Sequence, residues 1–405
     1  MYRCRICAEA ITPFIDFGQM PIGNAFLDEA DLDSEYFYHM QVGVCGACST
    51  LQLLEVPDPG QMFHDHYAYF ASTSAYMVRH FGELADQLMR DFVAQDHPFV
   101  VEIGSNDGIT LKNFADAGIP HLGVDPSSNV AEAAQQKGID VLIEFFNRDT
   151  ARTIAERYGS ADVIISTNTM HHIEDTNSVA EGIAHLLKPA GVFVQEDPYL
   201  GDMIERTAYD QLYAEHMYIW SITALSNVFG RYGMEIFDVE HNDFHGGCMR
   251  YYMCRTGAHR PTERLLEAKQ HEATLGLGKT DTFDRFREAC EESRRRLRAC
   301  LSRVAEEGGR VTGYGATAKS ATVINYCGLT PDDIPFISDS TPSKQNKFSP
   351  GAHIPIRPPA YFAAHFPDHA ILFAWNHFDE INAKERAYRE SGGKWIIPIG
   401  PVDVV

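Results

Sequence analysis

Twice in this chain a short apolar strand runs straight into a glycine turn. Nothing else in the sequence limits the fold as much. The first instance is Pro98-Phe99-Val100-Val101-Glu102-Ile103-Gly104-Ser105-Asn106-Asp107-Gly108-Ile109-Thr110-Leu111, and the second is Arg310-Val311-Thr312-Gly313-Tyr314-Gly315. Apolar runs too short for a helix, ended by glycine and followed by helical periodicity, are strand–turn–helix units. Further strands are expected at 121–125, 141–143, 161–166 and 191–195, with helical patterns at 130–137 and 179–187 between them. After the second turn, strands are expected at 336–338, 370–374 and 395–398. Alternation of this kind implies α/β architecture with parallel, doubly wound sheets.

The 405 residues allow two to four domains. The expected units are 1–72, 73–258 and 259–405. Residues 74–92 place Met77, Phe81, Leu84, Leu88 and Phe92 at helical spacing. A charged helical stretch covers 261–307, and its Arg294-Arg295-Arg296 run reads as a solvated face. The net charge of −22 argues against a nucleic-acid partner and against a polybasic membrane surface. No stretch of about 18 apolar residues is present, so no membrane span is expected. The first residues, Met1 to Cys7, lack an apolar signal core, so the expected location is cytoplasmic. No oligomeric state can be read, and a monomer is the simplest expectation.

Four of the nine cysteines form two pairs, Cys4-x-x-Cys7 and Cys45-x-x-Cys48. Such pairs suit one tetrahedral zinc, because each turn presents two thiolates, and four thiolates leave no open position for catalysis. The gap between the pairs exceeds the usual spacing, which a loop absorbs. Cys248, Cys254, Cys290, Cys300 and Cys327 are scattered singly.

The first glycine turn reads Glu102-x-Gly104-x-x-x-Gly108, the S-adenosylmethionine (SAM) variant of a nucleotide-binding turn. Asp125, ending the next strand, is placed to accept both ribose hydroxyls. The expected cofactor surface is Glu102, Gly104, Asn106, Gly108, Asp125, Pro126, Ser127, Phe145 and Asn168. The second turn, Gly313-x-Gly315-x-x-Ala318, fits a Rossmann-type fingerprint and opens an anion site at a helix start. Lys319, Lys344 and Lys347 add charge there, so a diphosphate ligand is expected. A third group is Tyr209 to Trp220. Read as a helix, it puts Tyr209, Tyr213, His216 and Trp220 on one face. Asn168, His171, His172 and His245-Gly246-Gly247 lie near neighbouring strand ends, where acid–base groups converge on ligands.

These motifs together resemble the SAM-dependent C-methyltransferases of nucleotide-linked keto-deoxysugars, which make branched sugars such as tetronitrose. The likeness covers essentially the whole chain. Besides the motifs above it rests on His66-Tyr67-Ala68-Tyr69-Phe70, Glu196-Asp197-Pro198-Tyr199-Leu200-Gly201-Asp202, Tyr213-x-Glu215-His216 and Phe373-Ala374-Trp375-Asn376-His377. The resemblance implies a small N-terminal zinc module, a middle Rossmann-like class I methyltransferase domain and a second Rossmann-like domain. It implies structural Zn2+ on Cys4, Cys7, Cys45 and Cys48, and SAM as cofactor. It implies His216 as general base, with Glu215, Tyr213 and Tyr67 beside it. The implied substrate is a dTDP-linked 4-keto-deoxysugar, methylated at C3. Its implied contacts are His172, Tyr199, His245, Gly246, Thr317, Lys319, Ser320, Lys344, Asn346, Lys347, Asn376 and His377. His171 stands where the family is expected to lack histidine. Two other activities are compatible with single motifs: O-methylation of a nucleotide sugar, and nicotinamide-dependent oxidoreduction at the second glycine turn.

Overall fold

The sheet carrying the first glycine turn has seven strands. Their order is Met234–Asn242, Cys248–Arg255, Leu187–Pro198, Ala161–Thr167, Val100–Ile103, His121–Val124 and Val141–Leu142. Cys248–Arg255 runs antiparallel to both neighbours, and the rest are parallel. Strands covered on both faces read as continuous apolar runs, which is why the five parallel strands were visible in the sequence, whereas the antiparallel pair Met234–Asn242 and Cys248–Arg255 was not expected. On one face lies the helix Ala75–Asp91, capped by the Ser74 hydroxyl. It buries Met77, Phe81, Leu84 and Leu88 against Val100, Val163, Ile165, Val192 and Val194. On the other face Val179, Ile183 and Leu186 of Thr176–Leu186 join Val101, Ile103 and Phe193. The structure, a computed structural model, describes residues 2–57, 70–93 and 96–405. Tyr67 therefore lies outside the described residues.

The C-terminal sheet has six strands, ordered Ile356–Arg357, Ile337–Ser338, Val311–Tyr314, His369–Leu372, Lys394–Ile397 and Asp403–Val404. All are parallel except the last. The helices Glu263–Leu275 and Thr280–Glu306 join the two sheets. The longer one buries Phe283, Phe286, Cys290, Leu297, Leu301 and Val304 in one stripe. On its exposed side Arg295 and Arg296 pair with Glu292 at 2.8 and 2.7 Å.

In the N-terminal segment Pro13–Pro21, Phe37–Val44 and Leu51–Leu53 form an antiparallel sheet. Its fourth strand, Tyr218–Ile219, comes from the middle of the chain. That strand corrects the helix expected across 209–220. Tyr209–Gln211 forms one 3-10 turn, and the chain then runs irregularly to Tyr218. An amphipathic helix needs a polar face in water. Here Tyr209, Leu212, Ala214, Met217, Ile219 and Trp220 are all buried, and so are Asp210, Glu215 and His216. Tyr209 packs on Phe17 and Tyr326, and Trp220 stacks on Tyr218, so neither shares a face with His216.

Candidate active site

The two cysteine pairs sit on matching turns. Ala8 N donates to Cys4 O and Ser49 N to Cys45 O, each at 2.8 Å. Ala8 and Ser49 both take left-handed backbone, with φ of 63° and 60°. The Sγ atoms of Cys4 and Cys48 are 3.5 Å apart, and those of Cys7 and Cys45 are 3.4 Å apart. Four sulfurs about 2.3 Å from a tetrahedral zinc are about 3.8 Å from one another, so the set needs only slight expansion to hold the ion. Gln52 Nε2 donates to Cys4 Sγ at 3.1 Å, which supports a thiolate there. This is a structural zinc site.

The SAM cradle lies at the carboxyl ends of Val100–Ile103 and His121–Val124. Gly104 has φ of +70°, and a Cβ there would collide with the Thr169 side chain. Asp125 takes a backbone N–H on each carboxylate oxygen, from Asn106 and from Ser127, both at 2.9 Å. Burial raises its pKa. Burial also pushes the Glu102 carboxyl up to about 8, helped by the nearby Asp125 and Asp107 charges. Glu102 Oε2 and Asn168 Nδ2 are buried without a hydrogen-bond partner among the described residues. Orphaned polar atoms around a glycine cradle are what a polar ligand satisfies, so these residues fit SAM. Asn168 sits on left-handed backbone, φ 51°, with its N–H on Glu196 O at 2.7 Å. Phe145 follows the Val141–Leu142 strand and is 61% exposed. Gly104→Val combines left-handed backbone with a β-branched side chain. It should weaken SAM binding on the order of a hundredfold, checked by titration calorimetry.

Beside the cradle is a cluster of three histidines. His171 and His172 come from the turn after Ala161–Thr167, and His216 from the irregular segment. The His171 ring centre is 4.1 Å from that of His172 and 4.3 Å from that of His216. His171 Nδ1 meets Asp197 Oδ1 at 2.6 Å, and Gln195 Nε2 donates to Asp197 Oδ2 at 2.7 Å. The Tyr213 hydroxyl bonds His216 Nε2, with ring centres 3.9 Å apart. Burial drives all three imidazoles toward the neutral form, and for His216 the neighbouring His171, His172 and Lys319 push the same way. Glu215 turns to the N-terminal module, accepting Asn24 Nδ2 at 2.7 Å. Burial raises its pKa to about 7, against the pull of Asn24 and Lys344.

The second glycine turn lies nearby, with Lys319 close enough to His216 to lower its pKa. Thr317 caps the helix Ala318–Cys327, accepting Ser320 N at 3.2 Å, and the Ser320 hydroxyl donates to Thr317 O at 2.6 Å. Lys319 Nζ donates to His245 O at 2.7 Å and lies over the Trp375 ring. Lys344 Nζ donates to Ala316 O at 2.8 Å. Burial lowers the pKa of both lysines. Gly246 packs so tightly that a Cβ would lie 2.6 Å from Trp375, the residue that begins the turn bearing Asn376 and His377. Two sequence candidates have other partners. Lys347 pairs with Asp28 at 3.2 Å, and the Tyr199 hydroxyl donates to Glu272 at 3.1 Å. Asn346 is exposed on left-handed backbone, φ 67°.

Sequence reasoning passed over Asn24, His80 and Arg250, and gave Asp197 and Asp210 no role of their own beyond the motifs that contain them. Asp210 accepts the Trp375 indole N–H at 2.6 Å. Glu196, fully buried, accepts His80 Nε2 at 2.6 Å and Arg250 Nε at 2.8 Å. One signal was available. The period of two in a strand sends Gln195 and Asp197 to one face and Glu196 to the other.

Three family descriptions match the chain: "Putative zinc binding domain" over residues 4–63, "Methyltransferase domain" over 77–239 and "C-methyltransferase C-terminal domain" over 243–400. The C-methyltransferase NovU of Streptomyces niveus is 33% identical over 400 residues, which is 98% of this chain and 95% of NovU. A methyltransferase of Oceanobacillus iheyensis, OB1106, is 26% identical over 175 residues, covering 39% of this chain and 79% of its own. Among solved structures, magnesium protoporphyrin IX methyltransferase from Synechocystis PCC 6803 with bound SAH shares 16% identity over 44% of this chain and 83% of its own, with a TM-score of 0.35. The nearly end-to-end match to NovU sets aside both O-methylation and nicotinamide chemistry. With a SAM-type cradle and a four-cysteine zinc site in place, the chain belongs to the family of SAM-dependent C-methyltransferases that includes NovU.

Proposed function

We propose that the protein C-methylates a nucleotide-diphosphate keto-deoxysugar, a dTDP-linked 4-keto sugar at C3, with His216 as general base. The observation that carries this reading is the meeting of a buried His216, held toward the neutral form, with the half-buried Lys319 and Lys344 at the second glycine turn. A diphosphate suits Lys319, Lys344 and the start of the Ala318–Cys327 helix. The working units are residues 1–72, 73–258 and 259–405.

A ketone acidifies its neighbouring C–H, because the resulting carbanion is shared with oxygen as an enolate. His216 takes that proton, since a neutral imidazole is a base at neutral pH. A hydroxyl or imidazole nearby, from Tyr213 or His172, hydrogen-bonds the enolate oxygen. SAM, when bound, would supply an electrophilic methyl to the carbanion, the C–S bonding pair leaving with S-adenosylhomocysteine. In this reading Glu215, whose carboxyl burial raises to about 7, hydrogen-bonds a ring hydroxyl. Holding two ligands in one orientation supplies much of the rate.

The test is mass spectrometry of a dTDP-4-keto-deoxysugar reaction in D2O. The expected result is gain of one methyl with SAM, and deuterium exchange beside the ketone without it. The absence of both methyl gain and exchange would count against this substrate class.

A further inference from the structure

The three histidines satisfy more than an acid–base role requires. We infer that His171, His172 and His216 form a second metal site, one that takes a borderline-soft divalent ion such as Zn2+. Their ligand atoms all lie within 4.8 Å of one another. Three imidazoles around a tetrahedral ion place their ring centres about 5 Å apart. The ring centres here stand 4.1, 4.3 and 5.3 Å apart, so two of the three gaps need to open by about 1 Å.

Two further observations point to a ligand. Asp197, fully buried, holds His171 Nδ1 at 2.6 Å and is itself held by Gln195. A carboxylate on one ring nitrogen directs the other nitrogen's lone pair outward, as behind metal-bound histidines. On His216, Nε2 is engaged by Tyr213, while Nδ1 is buried and makes no hydrogen bond of full geometry among the described residues, the Gln211 backbone lying close enough only to raise the ring's pKa against its burial. Neutral imidazole is the ligating form. The site has three nitrogen donors and no thiolate, which separates it from the cysteine centre.

An ion here occupies the lone pair that removes the substrate proton, so it inhibits rather than assists. That consequence rests on His216 being the base, whereas binding itself does not. The experiment titrates the enzyme, with its cysteine zinc in place, with Co2+. A second metal equivalent is expected, with visible d–d bands and no thiolate charge-transfer absorption in the near ultraviolet. His171→Gln and His216→Asn should each abolish it, with SAM binding as the check on folding. Asp197→Asn should weaken it about 10–100-fold. Zn2+ should inhibit methyl transfer competitively with the keto sugar. Absence of a second equivalent, charge-transfer bands alone, or cobalt retained in both histidine variants would overturn the site. Binding without inhibition would uphold the site and overturn the assignment of His216 as base.

Discussion

His216→Asn is expected to lower turnover by about 10²–10⁴-fold, the usual contribution of a positioned general base. Asparagine keeps much of the imidazole volume and polarity, so the cluster does not collapse. SAM affinity should change by only a few-fold, because the cradle residues Gly104, Asn106 and Asp125 sit on other elements. The pH profile carries the sharper signature. Burial and the neighbouring His171, His172 and Lys319 lower the His216 pKa well below its ordinary value of 6.5. A base whose pKa is lowered stays deprotonated further into acid. The acid limb of kcat should therefore fall below pH 6.5, not at it. Wild-type turnover in His216→Asn would end the base assignment. A matching loss of SAM affinity would mark the histidine as structural instead.

The parts of this site that were legible in the sequence are those whose chemistry is local. Two thiolates per turn, and a glycine turn after an apolar strand, are specified by residues a few positions apart. The helix Ala75–Asp91 was legible because one face is dry and the other is wet: Met77, Phe81, Leu84 and Leu88 are buried, while Phe92, expected on the same face, caps the helix end half-buried. What stayed hidden has long-range causes. Asn24 meets Glu215 across 191 positions, and His171 meets Asp197 across 26. No periodicity connects such pairs. The 209–220 segment misled for a different reason. Its spacing mimics one helical face, but all its faces are buried, and its last residues complete a sheet begun by Leu51–Leu53. Lys347 and Tyr199 have partners that residue type does not foretell. Each has a chemically suitable group, and each has it engaged by a carboxylate.

Cys45→Ser is expected to have the largest effect on stability. A structural zinc contributes roughly 10–16 kcal/mol of apparent binding free energy, which is folding free energy for the unit that holds it. Whole domains are stable by only about 5–15 kcal/mol, so loss of the ion should unfold the N-terminal module. The damage should not stop there. Tyr218–Ile219 pairs with Leu51–Leu53, and Asn177 and Arg231 donate to the backbone oxygen of Ile6 in the first cysteine turn. Asn24 of the same module holds Glu215, the neighbour of His216. Turnover should therefore fall much further than SAM affinity, since the cradle residues Gly104, Asn106 and Asp125 follow strands of the seven-stranded sheet. Metal analysis, a thermal melt and SAM titration on the same preparation check this. One zinc per chain should be lost along with the first melting transition. An unchanged melt with no zinc in either protein would mean that the four cysteines are reduced thiols packed together, and that the module stands on its apolar core.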